Sequence, residues 1–231
     1  MKSQTLYLYL LLVFVLNLPI RSISQTQIGA DIDGENTGFG SDLFGVSVSM
    51  PDKNTLAVGA SGEDWIFTDT NYVKVYTWNG SIWSEKGTRI DGEDIGEFFG
   101  SSIDMPDTNT LAVGAIWNDG NGFRAGHARV FSWNGVTWVQ KGLDIDGEAA
   151  EDQSGVVSMP DPNTIAIGAS GNDANGIDAG CVRVFSWNGI AWVQKGININ
   201  GENADDYSGS SISMPDSNTI AIGAPSNDGN G

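Results

Sequence analysis

Four Met-Pro-Asp triplets punctuate this chain at a nearly constant interval. Met50, Met105, Met159 and Met214 are separated by 55, 54 and 55 residues. The tryptophans that open Trp-Asn-Gly, Trp78, Trp133 and Trp187, keep the same step of 55 and 54. A fixed period of this length marks a solenoid, propeller or array. One supersecondary unit is repeated, and each copy buries its apolar face only against a neighbour.

The second copy shows what the unit is. Ser101-Ser102-Ile103-Asp104-Met105 alternates like a short strand, and Pro106-Asp107-Thr108-Asn109 is turn chemistry. Thr110 to Ala115 is a second strand. Leu111, Val113 and Ala115 point to one side, Ala112 and Gly114 to the other. That second side is small enough for another sheet to approach closely. After the loop Asn118-Asp119-Gly120-Asn121-Gly122 comes a third strand, Ala128 to Trp133. Asn134-Gly135 is a strong two-residue hairpin signal, and it leads to a fourth strand, Trp138 to Lys141, with Lys141 suited to an exposed edge. Ile145-Asp146-Gly147-Glu148 reads as the turn into the next copy. No helical period survives the glycines, and β-branched and aromatic residues fill the runs. Four-stranded antiparallel sheets repeated about an axis are the blades of a β-propeller, so the expected class is all-β. The repeats fall at about 27–87, 88–142, 143–196 and 197–231, or about three and a half blades. This is fewer than a propeller uses, and the chain is expected to be part of a longer one.

The copies differ in detail. The third has one residue fewer between Gly155 and Met159, which predicts a bulge or a shortened end in its first strand. The first has a diverged third loop, Glu63-Asp64-Trp65-Ile66-Phe67. Gln25 to Gly29 aligns with the fourth strand of other copies and is a candidate to complete a closing blade.

Residues 1–24 read as a secretory signal: Lys2, then an apolar run from Leu6 to Leu18, then small residues before a cleavage point near Ser24–Gln25. The competing reading is an uncleaved anchor, for which the run is short. The propeller then occupies 25–231. A formal net charge of −18 argues against nucleic acid and anionic membrane surfaces as partners. It suits a secreted or surface-exposed chain, and one that meets divalent cations. The single cysteine, Cys181, makes no internal disulfide, and the single histidine, His127, occupies the same repeat position. Neither suggests a catalytic pair.

The repeat resembles the FG-GAP blade of integrin α-subunit propellers and their microbial relatives. The likeness rests on Phe44-Gly45 with Gly59-Ala60, Phe99-Gly100 with Gly114-Ala115, Ser154-Gly155 with Gly168-Ala169, and Ser208-Gly209 with Gly223-Ala224-Pro225. It implies a secreted or cell-surface propeller for adhesion or protein binding. Relatives often hold calcium between the two elements, but here a tight Pro-Asp-x-Asn-Thr turn fills that interval. Such a turn has too few oxygens for the six to eight ligands of calcium.

Two sets of residues stand out as sites. The loops between second and third strands carry Asn118, Asp119 and Asn121, then Asn172, Asp173, Asn175 and Asp178, then Asn227 and Asp228. Oxygens at alternate positions suit calcium, while the same residues also suit plain turns. Trp133 with Trp138, and Trp187 with Trp192, offer either glycan-stacking platforms or cross-strand aromatic pairs. No catalytic constellation is present. The expected function is a non-catalytic extracellular binding or adhesion module for a protein partner, the alternatives being a lectin-like propeller and a secreted hydrolase.

Overall fold

A computed structural model describes residues 26–35, 42–62 and 71–229. The proposed signal segment and the loop Glu63 to Phe67 lie outside the described residues. The chain divides into two units, Met1–Ala30 and Asp31–Gly231. Of the first, only residues 26–30 are described, and they form no strand. The segment expected to serve as a fourth strand, Gln25 to Gly29, has no strand conformation over its described residues 26–29.

The second unit is all-β among its described residues, with no helix. The first sheet holds β1 (Phe44–Asp52), β2 (Thr55–Ala60), β3 (Tyr72–Trp78), β4 (Trp83–Glu85) and β5 (Ile90–Asp91). The second holds β6 (Phe99–Asp107), β7 (Thr110–Ala115), β8 (His127–Trp133), β9 (Trp138–Gln140) and β10 (Ile145–Asp146). The third holds β11 (Ser154–Asp161), β12 (Thr164–Ala169), β13 (Cys181–Trp187), β14 (Trp192–Gln194) and β15 (Ile199–Asn200). A two-stranded sheet follows, β16 (Ser211–Asp216) and β17 (Thr219–Gly223). Each complete sheet is an antiparallel meander in the order first, second, third, fourth strand.

The structure adds one strand per blade to the four expected. β5 pairs the start of β3 through Tyr72↔Asp91 and Val73↔Ile90, while β4 pairs its end through Tyr76↔Glu85 and Trp78↔Trp83. The fourth lane is thus split in two, so the Ile-Asp of Ile90-Asp91-Gly92-Glu93 and of Ile145-Asp146-Gly147-Glu148 is strand and only the Gly-Glu begins the connection. Ile90 and Ile145 drive this, since both bury their side chains.

Successive sheets stack face to face. Leu111, Val113 and Ala115 join a core with Val73, Val75 and Phe99, whereas Ala112 joins Val157, Ile165 and Ile167 on the other side. The two faces of one strand therefore serve two cores, as the alternation requires. The close face needs glycine: a methyl on Gly114 would stand 1.7 Å from the Gly155 carbonyl oxygen of the next blade. The residue missing from the third copy is absorbed at the same junction. Between Phe99↔Ala115 and Ser102↔Gly114, β6 carries two extra residues, one of them Gly100 at φ +86°. Between Ser154↔Ala169 and Val156↔Gly168, β11 carries one, and its Gly155 has no positive φ.

First strands also bond directly to one another. Ser49 Oγ accepts from Met105 N (3.0 Å), Asp104 Oδ2 from Met159 N (2.7 Å) and Ser158 Oγ from Met214 N (3.0 Å). One repeat position thus ties each blade to the next.

Candidate functional site

The most regular polar feature is a carboxylate two residues before each Phe-Gly or Ser-Gly. Asp42, Glu97, Asp152 and Asp206 recur at 55, 55 and 54 residues. Glu97, Asp152 and Asp206 are almost wholly buried. Glu97 Oε1 accepts from Glu93 N (2.6 Å) and its Oε2 from Asn118 Nδ2 (2.6 Å). Asp152 Oδ2 accepts from Glu148 N and Ala149 N (both 2.9 Å), and Oδ1 from Asn172 Nδ2 (3.2 Å). Asp206 Oδ2 accepts from Glu202 N, Asn203 N and Asn227 Nδ2. Each of these three buried acids binds the turn that enters its blade to the loop between second and third strands. Burial pushes the Glu97 carboxyl up, and the Asn118 amide and the backbone amides oppose it. Sequence reading passed over these acids, although their period was the available signal.

Most of the residues expected in a cation loop have partners of their own. Asn118 Oδ1 accepts from Gly120 N (2.8 Å) and Asp119 Oδ1 from Arg124 N (2.7 Å), while Asn121 Nδ2 donates to Gly147 O (2.7 Å). In the next blade Asn172 Oδ1 accepts from Ala174 N, Asp173 Oδ1 from Asp178 N, and Asn175 Nδ2 donates to Gly201 O. In the last loop Asn227 Oδ1 accepts from Gly229 N. Asp178 takes a positive φ of 51°, and Asp228 lies on the exposed tip. Side-chain oxygens thus cap backbone amides within the loops.

The tryptophans pair across their hairpins. Trp78–Trp83, Trp133–Trp138 and Trp187–Trp192 have ring centroids 5.4, 5.5 and 5.4 Å apart. Trp138 Nε1 donates to Lys86 O and Trp192 Nε1 to Lys141 O, both at 2.8 Å. Lys86 Nζ stands 5.3 Å from the centroids of both Trp133 and Trp138, and Lys141 repeats this over Trp187 and Trp192. Lys141 is not an idle edge charge: it donates onward to Pro162 O (2.6 Å) and Asn163 Oδ1 (2.8 Å). The Trp133–Trp138 and Trp187–Trp192 pairs are therefore junctions between blades, held by cation–π and hydrogen-bond contacts.

Among the described residues, one cluster is peculiar to the second blade. Ligand atoms of Glu93, His127 and Asp144 all lie within 4.8 Å of one another. His127 opens β8 at 1 % exposure, and its Nε2 has no hydrogen-bond partner. Burial pushes its imidazole down to about 4, against the pull of the Asp144 carboxylate. Cys181, at the same repeat position, is also buried, and its thiol is pushed up to about 11. At that value it is a packed apolar group, not a nucleophile.

The antiparallel sheets, stacked through repeated small-residue faces, define the chain as a protein of the β-propeller blade type. A family model described as the FG-GAP repeat matches residues 88–131, so this segment is similar to an FG-GAP repeat. The match runs from before β5 through β7 into β8, and it contains both Phe99-Gly100 and Gly114-Ala115. No curated protein matches the chain.

Proposed function

We propose that the chain is a non-catalytic binding module, secreted or held at the cell surface, which engages a protein partner through the outer rim of its blades. One observation carries this reading. Val136, Val139 and Leu143 are 80, 47 and 86 % exposed, and their counterparts Ile190, Val193 and Ile197 are 85, 49 and 88 % exposed. Large apolar side chains recurring at the same exposed positions of neighbouring blades are the material of an interaction surface. FG-GAP repeats occur in integrin-like extracellular binding propellers, which fits this use. The acidic chain favours a partner that rims an apolar patch with basic residues.

Other chemistry is already spent inside the fold. The buried acids hold turns, and the tryptophan pairs hold lysines. This supports protein binding over glycan stacking, and supports a turn role over calcium ligation for Asn118 and its counterparts. The test is binding of the chain to immobilised extracellular proteins before and after enzymatic deglycosylation. Binding should survive deglycosylation and should fall at least tenfold in the double variant Val136→Asp, Ile190→Asp. Loss on deglycosylation, or on Trp133→Ala with the rim intact, would establish the lectin reading instead.

A further inference from the structure

The three complete blades act as controls for one another at the Glu93 position. In the first, the site is Glu35, Tyr72 and Arg89: Arg89 Nη1 donates to Glu35 Oε2 (2.7 Å) and Tyr72 Oη lies 3.1 Å from Glu35 N. In the third, it is Glu148, Cys181 and Asn198, with Asn198 Nδ2 donating to Glu148 Oε2 (2.7 Å). Each of those glutamates receives a donor from the third residue of its set. In the second blade the third residue is Asp144, which when ionised is an acceptor only. Two carboxylates and an imidazole then face one another, each offering a ligand atom within 4.8 Å of the others, and the buried Nε2 of His127 has no hydrogen-bond partner.

The nearby guanidinium forms ion pairs with both carboxylates but donates a hydrogen bond to neither. Arg129 stands 3.7 Å from both Glu93 Oε1 and Asp144 Oδ1, beyond hydrogen-bonding distance. Its Nε and Nη2 donate instead to Gln140 Oε1 at 3.1 and 2.8 Å. Gln140 in turn donates through Nε2 to Asp144 Oδ1 (2.6 Å), which orients that carboxylate. An outer residue that fixes a ligand in this way is a regular part of metal sites.

We propose that Glu93, His127 and Asp144 bind a divalent transition-metal cation of the zinc class. One imidazole nitrogen and two carboxylate oxygens are the donor set of such ions, and calcium would want more oxygens. Three protein ligands leave a fourth position for water. Glu93 follows β5 of the first blade, His127 opens β8 and Asp144 precedes β10 of the second. The ion therefore clamps the connection between two blades onto the body of the second, and its binding adds to stability by mass action.

The test is titration of metal-free full chain with zinc, followed by calorimetry and thermal melting, with cobalt as a spectroscopic substitute. We expect one strong equivalent, a melting temperature that rises with zinc, and a visible absorption band on cobalt loading. Asp144→Asn and His127→Tyr install the residues of the sister blades. Each should weaken zinc binding at least tenfold and abolish the cobalt band. Asp144→Asn, which supplies the donor seen at Asn198, should leave the zinc-free melting temperature unchanged or higher. A wild-type chain indifferent to zinc would overturn the proposal. So would an Asp144→Asn variant that binds zinc as well as wild type, since binding would then rest on scattered surface carboxylates.

Discussion

Asn118 Nδ2 donates to the buried Oε2 of Glu97 at 2.6 Å, and this single bond ties the loop after β7 to the turn that enters the same blade. Asn118→Ala leaves a buried carboxylate short of a donor, which costs about 1–3 kcal/mol. The cost should depend on pH. Burial already raises the Glu97 carboxyl above its ordinary value, and loss of the amide raises it further. A raised folded-state value means that the contribution to stability is fullest below the unfolded value and is lost as pH rises through the folded one. Urea melts of wild type and Asn118→Ala should therefore diverge more at about pH 8 than at about pH 5. A gap that does not change with pH would contradict an ionised, Asn118-supported Glu97.

Asp104 occupies the blade-to-blade position that is serine at Ser49 and Ser158. Asp104→Ser should keep an acceptor for the Met159 amide and cost less than about 1 kcal/mol, whereas Asp104→Ala should cost about 1–3 kcal/mol. Burial raises the Asp104 carboxyl, against the backbone amides of Met159 and Met105. Wild type accordingly loses this residue's contribution as pH rises through its folded value, and Asp104→Ser does not. Chemical denaturation across the acid range should show the serine variant gaining on wild type with rising pH.

Gly114 tests the stacking itself. The methyl of Gly114→Ala would meet the Gly155 carbonyl oxygen, a backbone atom that cannot swing aside. We expect destabilisation of about 3 kcal/mol or more, or failure to fold. A variant that melts like wild type would mean that the second and third sheets do not lean on each other at this point.

The tryptophan junction separates hydrogen bonding from packing. Trp138→Phe keeps an aromatic ring but loses the bond to Lys86 O, and should cost about 1 kcal/mol. Trp138→Ala also vacates a buried ring, and should cost about 3–5 kcal/mol. Thermal melts distinguish the two, and equal losses would show that the indole N–H carries the whole contact.

Calcium gives a contrast with zinc. The oxygens of Asn118, Asp119, Asn172 and Asp173 already accept from backbone amides. Millimolar calcium added to metal-free chain should leave the melting temperature unchanged. A clear rise, lost in Asp119→Asn, would return these loops to the role of calcium ligands.

The period, the strands and the turns were legible because they are written locally. Met-Pro-Asp, Trp-Asn-Gly and the alternation of Thr110 to Ala115 act through backbone preferences of adjacent residues, and repetition confirms each reading in the next copy. Asp42, Glu97, Asp152 and Asp206 carried the same period, yet nothing local says which acid in an acidic chain is buried. The stacking of sheets and the return of the Asn118 loop decided that. The split of the fourth lane into β4 and β5 was equally hidden, because the second half pairs with residues far back along the chain. Glu93, His127 and Asp144 come from three separated segments of a repeat, and only the paired strands set their side chains within reach of one another. Sequence fixes what each segment prefers alone; burial and proximity belong to the assembled sheets, where desolvation makes one carboxylate a structural tie and another a candidate ligand.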